Sequence, residues 1–408
     1  MLKMDTIEAS LIKIAEQEGI VDPVITYLPK IEGGQGFLSN VEVVNLEGQT
    51  KSGQNCKLSL ILKIAVANEN FRQTTATLEI FQNEIRMYES IFPAFYKFEK
   101  QKGIANPLYM VPKYYKSFRK TELEILIFED LKQSGYESWN NKLQMNSEHV
   151  KMVLKEYGKF HALSFAMRDQ NPELFQQLTE NFENHLAIFL KRSGFFNAFL
   201  FKSKRLLELL DSRADSKIFQ KYQEFINGVE EKFEFLLSDC DNFYAILHGD
   251  CWSNNMLFKY TDTKRLQPSD IRLIDFQMSR VGSPVLDIVY FFYVCSSEEV
   301  LKDLQFYKRV YYDSFSHHLK TLGSDAERLY PFSVFEEHWK KYGTFGLIIC
   351  SFVSHTLSSK DNEIADVAKI IEEGGNLEKA FRFETVNIDA YKNRMKHVIE
   401  HFVDNGLI

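Results

Sequence analysis

The sequence predicts an α+β protein in two unequal parts, with the change near residue 131 of 408. Three observations carry this. Before residue 131 apolar residues fall in strand-length runs around one helical stretch. From Ser147 onward the apolar spacing is helical. Three short apolar runs then interrupt the helical part, at 242–250, 255–260 and 271–276; the first ends on Asp250 and the last holds Asp275. With 45% hydrophobic and 14% aromatic residues, the chain has ample material for a packed core.

Taken in order, Ile7, Leu11 and Ile14 share one face of an N-terminal amphipathic helix. That segment has no continuous apolar core and no small-residue cleavage site, so it does not read as a secretory signal. "SNVEVVNLE" and "CKLSLILKIAV" are strands. "TLEIFQNEIRMYESIF" follows as a helix with Leu78, Phe81, Ile85 and Tyr88 at helical spacing, and "MVPKYYKSF" and "ELEILIFEDL" are two more strands. The polar stretch "KQSGYESWNNKLQMN" leads into the helical region. "YTDTKRLQPSD" holds a proline and several turn formers between two short strands, as a hairpin connection does. The apolar runs "VLDIVYFFYVC" and "FGLIICSFV" fall short of the roughly 20 residues that cross a bilayer and read as core helices.

The net charge of −7 argues against general nucleic-acid binding, which needs a basic face. Five scattered cysteines without a C-x-x-C pair read as buried, reduced thiols of a cytoplasmic protein, not as a disulfide frame or a zinc site.

The chemistry concentrates in "LHGDCWSNNMLF" and "LIDFQ". Asp250 and Asn255 lie five apart just after a strand, and Asp275 follows the hairpin. Three oxygen-bearing side chains thus leave the ends of neighbouring strands. A hard cation such as Mg2+ takes oxygen ligands and keeps several waters, so one Asp and one Asn together with nucleotide phosphates would suffice. The remaining Asp can accept a proton from an attacking hydroxyl. One loop carries the base and one metal ligand, and the next loop carries the other ligand. Lys63 sits inside an apolar strand where a lone ammonium would be costly. Glu84, on the next helix, can pair with it, so that the two hold phosphates. Gly33, Gly34 and Gly36 precede a strand and would let backbone N–H groups approach phosphates, although the spacing is not G-x-G-x-x-G. His248 reads as an orienting residue of the catalytic loop, His161 as a structural histidine, and the His317–His318 pair as a poor metal site.

"LHGDCWSNNMLF" followed by "IRLIDFQMSRVGSPVLDIVYF" closely resembles the CHK kinase-like, or ecdysteroid kinase-like, family, related to choline kinases and aminoglycoside phosphotransferases. "FQNEIRMYESIFP", "LIFEDL" and "YGKFHALSFAM" extend the resemblance over most of the chain. The resemblance implies a bilobed protein-kinase-like fold, with an N-lobe of residues 1–131 and a C-lobe of residues 132–408. It implies ATP between the lobes, its adenine against a hinge at Glu129–Leu131. It also implies Asp250 as base, Asn255 and Asp275 as Mg2+ ligands, Lys63 with Glu84 as the phosphate anchor, and Asp287 bracing the catalytic loop. Gly249 and Gln277 replace the Arg and Gly of the protein-kinase H-R-D and D-F-G patterns, as is usual in the small-molecule relatives. Only "MSRVGSP" separates "DFQ" from the next helix, which leaves no room for an activation loop or a peptide platform.

The expected function is therefore an ATP- and Mg2+-dependent kinase for a hydroxyl of a small molecule. The expected partners are that acceptor, with no nucleic acid, no membrane insertion and no obligate protein partner. Phe182, Phe189, Phe195, Phe196, Phe199 and Phe201 are candidates for an apolar acceptor pocket or for ordinary helix packing. A choline- or ethanolamine-type kinase and a catalytically inactive kinase-shaped binding protein are the alternatives.

Overall fold

The computed structural model describes residues 2–29, 38–120, 123–213, 215–364, 366, 369–370, 373 and 377–408. Helix α1 (Leu2–Gln17) leads into strands β1 (Val21–Tyr27), β2 (Ser39–Gln49) and β3 (Asn55–Ala65). Helices α2 (Glu69–Thr75), α3 (Thr77–Arg86) and α4 (Phe92–Gln101) follow, then β4 (Tyr114–Lys120) and β5 (Leu123–Glu129). The five strands form an antiparallel sheet in the order β1-β2-β3-β5-β4.

Strand alternation decides what each face carries. On β3, Leu60 and Leu62 pack with Ile7, Leu11 and Ile14 of α1 on one side of the sheet. Ile61 and Ala65 belong to the other side, where the main core begins, and Lys63 shares their parity. Lys63 therefore leaves the sheet toward α3. A π-helical turn at Met87–Ile91 joins α3 to α4. Leu78, grouped by spacing with Phe81, Ile85 and Tyr88, is exposed while the other three are buried, because the buried stripe of α3 runs through Thr77, Ile80, Phe81, Glu84 and Ile85.

Beyond Glu129 the architecture turns helical. Strand β6 (Tyr136–Ser138) precedes α5 (Ser147–Gln170), α6 (Pro172–Thr179), α7 (His185–Ser193), α8 (Phe195–Leu209), α9 (Ser216–Asn227) and α10 (Val229–Ser238). Strands β7 (Ala245–Leu247), β8 (Met256–Tyr260), β9 (Pro268–Leu273) and β10 (Arg280–Gly282) come next. They make a three-stranded sheet β6-β8-β9 and the pair β7-β10. Helices α11 (Val285–Cys295), α12 (Glu298–Leu301), α13 (Leu304–Thr321), α14 (Ala326–Leu329) and α15 (Phe332–Ser358) follow, and a helix at Ile388–Asp404 closes the chain. The fold is thus α+β and bilobed, an antiparallel sheet followed by a larger helical part. One continuous core runs from Leu38 to Val403.

The two apolar runs are α11 and part of α15, both buried. No helix among the described residues is long and apolar enough to cross a membrane. All five cysteines are free, but the expectation of uniform burial is corrected: Cys240 is exposed and Cys56 half-buried.

Candidate functional site

The loop after β7 and the loop after β9 meet beneath the sheet. Gly249 makes this possible. Its φ is +86°, and a Cβ there would lie 2.0 Å from the Met278 carbonyl oxygen, so only glycine lets the two loops approach this closely. Asp287, in the first turn of α11, braces the same turn. It accepts from the backbone N–H of His248 at 2.7 Å and of Gly249 at 3.0 Å, and His161 Nε2 lies 3.2 Å away. Burial alone would raise the Asp287 pKa. The His161 hydrogen bond and the nearby His161, His248 and Arg280 outweigh it and hold the group at about 2. His161 also meets the Tyr311 hydroxyl at 3.0 Å.

His248 is wholly buried. Nε2 donates to the Ile274 carbonyl at 3.0 Å and Nδ1 accepts from the Asp250 N–H at 3.3 Å, which selects one neutral tautomer. Burial pushes its pKa down, in keeping with that neutral ring.

Asp250 is partly buried at the mouth of this loop. Its Oδ2 accepts from Asn255 Nδ2 at 2.8 Å and its Oδ1 from the Tyr290 hydroxyl at 2.9 Å. Burial and then the charge of Asp275 raise its pKa to about 6, against the hydrogen bonds from Tyr290 and Asn255. Because the Asn255 amide nitrogen is turned to Asp250, its carbonyl oxygen faces away from that carboxylate.

Asp275 sits at φ +67°, a left-handed conformation uncommon outside glycine, immediately before the short turn Phe276–Met278. Its Oδ1 accepts from Lys63 Nζ at 2.7 Å, and Lys63 also meets Glu84 Oε2 at 2.5 Å and Gln277 Oε1 at 3.5 Å. Burial works against the Lys63 charge, but Asp275 and Glu84 overcome it and leave the pKa raised. Glu84 is pushed up to about 7, by burial first and by Asp275, against the pull of Lys63. Asn83, next to Glu84, donates to the carbonyls of Gln277 at 3.0 Å and Ser279 at 2.8 Å and so ties α3 to the Asp275 loop.

Asp250, Asn255, Asp275 and Gln277 share one cavity with Leu38, Trp252, Met278 and Tyr290. Its remaining wall is mostly apolar, built by Leu186, Phe189, Leu190, Phe195 and Phe199 with Ile349, Phe352, Val353 and Thr356 of α15, the threonine hydroxyl donating to the Phe352 carbonyl at 3.3 Å. Of the six phenylalanines singled out, Phe189, Phe195 and Phe199 line the cavity. Phe196 stacks on Phe233, Phe182 lies under the Arg86 guanidinium and Phe201 under that of Arg382.

Glu129 and Leu131 lie at the end of β5, away from this lining. The Glu129 carboxylate accepts from the Lys113 N–H at 2.7 Å, and Leu131 packs in a small cluster with Tyr136, Leu257 and Ile274. Gly33, Gly34 and Gly36 fall outside the described residues. Sequence reasoning missed Tyr290, Asn83 and the α15 wall. A phenol three residues after Asp287 in an otherwise apolar helix was the available signal for Tyr290, since a buried hydroxyl needs a partner.

The family model described as the ecdysteroid kinase-like family matches residues 33–324. A search of curated proteins finds no match. Among solved structures, the chain is similar to a GDP complex of an aminoglycoside 2'-phosphotransferase variant at 12% identity and a TM-score of 0.39, covering 90% of this chain and 95% of that one. It is similar to a glucosamine kinase at 9% identity and a TM-score of 0.40, with 94% and 81% covered. A glucosamine kinase complex with glucosamine, ADP and inorganic phosphate gives 9% and 0.38, with 94% and 95% covered. Likeness at this level says nothing of this chain's own substrate.

Proposed function

The chain belongs to the ecdysteroid kinase-like family, and from that premise we propose that it is an ATP-dependent phosphotransferase acting on a hydroxyl of a small, largely apolar molecule. The observation that carries this reading is the cavity. An apolar chamber ends in an acid, an amide and a second acid, and the second acid is bonded to a strand-borne lysine.

In this reading residues 1–131 form the N-lobe and 132–408 the C-lobe. Asp250 is the base. A carboxylate with a pKa near 6 is ionised at neutral pH yet basic enough to take a proton as transfer proceeds. The acceptor O–H gives its proton to Asp250 while its oxygen bonds to the γ-phosphorus of ATP. The bond from that phosphorus to the β,γ-bridging oxygen breaks, and its electron pair leaves on ADP. Lys63, held by Glu84, supplies positive charge to the phosphates. Gly33, Gly34 and Gly36 are proposed to cradle those phosphates, and the backbone at Glu129–Leu131 to meet the adenine. His248 and Asp287 keep the loop in register.

The donor set suits Mg2+: the Asp275 carboxylate and the Asn255 carbonyl are hard oxygen ligands on one cavity. Bound there, the cation would neutralise charge on the phosphates. The described residues contain no cluster of three His, Cys, Asp or Glu able to hold a metal alone, so a cation here depends on the phosphates for the rest of its shell. Five free thiols favour a reducing compartment such as the cytoplasm.

The apolar wall favours an alcohol of steroid or phenolic type over choline or an amino sugar. Among the described residues the cavity's carboxylates are Asp250 and Asp275, both already committed, so these leave no spare counter-ion for a cationic acceptor. Converting such an alcohol to a phosphate ester makes it anionic and water-soluble, a step suited to storage or detoxification. Asp250→Asn is expected to keep nucleotide binding and to lower turnover by about 10²–10⁴-fold. Near-normal turnover in that variant overturns the assignment of the base.

A further inference from the structure

A kinase that activates a hydroxyl must also deny the same position to water, and the cavity contains a device for this. Both oxygens of Asp250 carry a donor from the protein. Asn255 occupies Oδ2 at 2.8 Å, and the Tyr290 phenol, rising from α11, occupies Oδ1 at 2.9 Å. Tyr290 is 7% exposed and lines the same cavity as Asp250, so its hydroxyl occupies one oxygen of the carboxylate within the chamber that an acceptor enters. The facing wall is Leu186, Phe189, Leu190, Phe199, Phe352 and Val353, none of which offers a side-chain hydrogen bond.

A buried water needs two to four polar partners, and apolar cavities stay dry. At this end of the chamber the polar groups are Asp250, already bonded to the phenol and beside Trp252, and Asn255, Asp275 and Gln277, which face the nucleotide in the reading above. The opposite wall is hydrocarbon apart from Thr356, whose hydroxyl donates to the Phe352 carbonyl. An alcohol is placed differently, because burial of its apolar body against the wall holds its hydroxyl at the carboxylate while the phenol swings or shares. We infer that Tyr290 is a positioning residue that reserves Asp250 for an alcohol and suppresses phosphate transfer to water. This inference rests on the phosphotransferase reading above. The suppressed side reaction follows the same bond changes with water as acceptor and releases inorganic phosphate and ADP.

The test compares wild type with Tyr290→Phe and Tyr290→Met, the latter a flexible gap-filler should the first disturb packing. Two rates are measured with magnesium and ATP: ADP release without acceptor, and phosphate ester formation with the best alcohol from a mixed panel. A hydrogen bond to a charged group is worth enough to change a rate by about 10–100-fold. The ratio of ester formation to hydrolysis is therefore expected to fall by about that factor in both variants, with the KM for ATP unchanged. Tyr312→Phe, which removes a buried phenol outside the cavity whose hydroxyl donates to the Tyr330 carbonyl at 3.0 Å, is expected to hold the wild-type ratio within about twofold. Parallel loss of both rates, an unchanged ratio, or an equal shift in Tyr312→Phe overturns the inference while leaving the kinase reading intact. A wild-type protein that transfers phosphate to no alcohol overturns that reading, and the inference with it.

Discussion

Replacing Gly249 with alanine tests how tightly the two loops are built against each other. Two costs separate cleanly in this chain. The first is conformational: at φ +86° an L-residue pays about 1–2 kcal/mol for the left-handed region. The second is steric, because the new Cβ would stand 2.0 Å from the Met278 carbonyl oxygen and 2.7 Å from its carbon. Both atoms are backbone and lie just before β10, which pairs with β7 at Arg280↔Leu247. The strand pair must open by about an ångström, and the bonds from the N–H groups of His248 and Gly249 to Asp287 stretch with it. Gly53 supplies the control. It has φ +80° and nothing within 4 Å of a built Cβ, so Gly53→Ala pays the first cost alone. In urea melts Gly53→Ala is expected to lose about 1–2 kcal/mol. Gly249→Ala is expected to lose about 2–3 kcal/mol more, the usual cost of overpacking. Displacing Asp250 by about an ångström should also cut single-turnover transfer by about 10²-fold at saturating ATP. Equal destabilisation in the two variants, or full turnover in Gly249→Ala, refutes the reasoning.

Other predictions follow from the same contacts. Lys63→Met removes the ammonium hydrogen-bonded to Glu84, but Glu84, pushed up to about 7, can take a proton and stay buried; calorimetry should therefore find a folded protein with ATP affinity lowered by at least about 10-fold. Burial holds His355 at about 3 and His149 and His401 at about 4. The unfolded chain binds their protons below about 6.5 and the folded chain does not, so stability is expected to fall between pH 6.5 and 4 by up to about 1.4 kcal/mol per unit for each ring; a urea midpoint unchanged between pH 7.5 and 5 would contradict this. Phe199 stacks on Phe352 with centroids 4.3 Å apart in the cavity wall. Phe199→Ala should raise the KM for an apolar acceptor about 10–100-fold, the worth of one buried aromatic side chain, and leave the KM for ATP unchanged.

Legibility in the sequence followed how local each signal is. The Asp250, Asn255 and Asp275 loops were readable because short apolar strands break abruptly into polar residues, and Lys63 because an ammonium in an apolar strand demands a partner. Its pairing with Glu84 followed from an acid on the next helix. Strand β1 was missed, since "VDPVITY" carries an acid and a proline and only alternate residues are even half-buried, as an edge strand permits. The π-turn at Met87–Ile91 left no mark in a simple helical pattern. Leu78 was placed on the wrong face because the buried stripe of α3 includes the polar Thr77 and Glu84, which apolar spacing alone does not show. The cavity wall was the least readable part. Phe189, Phe195 and Phe199 line a chamber while Phe196 and Phe201 pack elsewhere, and spacing alone does not separate a wall from a core. Residues from α15, some 100 positions after Asp250, close that wall through tertiary packing that no local pattern encodes.

The most direct measurement is transfer from labelled ATP to a mixture of steroid alcohols, phenols, glycosides and amino alcohols, read by mass spectrometry. The account predicts a phosphate ester on one or more of the apolar alcohols, dependent on magnesium and lost in Asp250→Asn. Label appearing only on amino alcohols, or persisting undiminished in that variant, would contradict it.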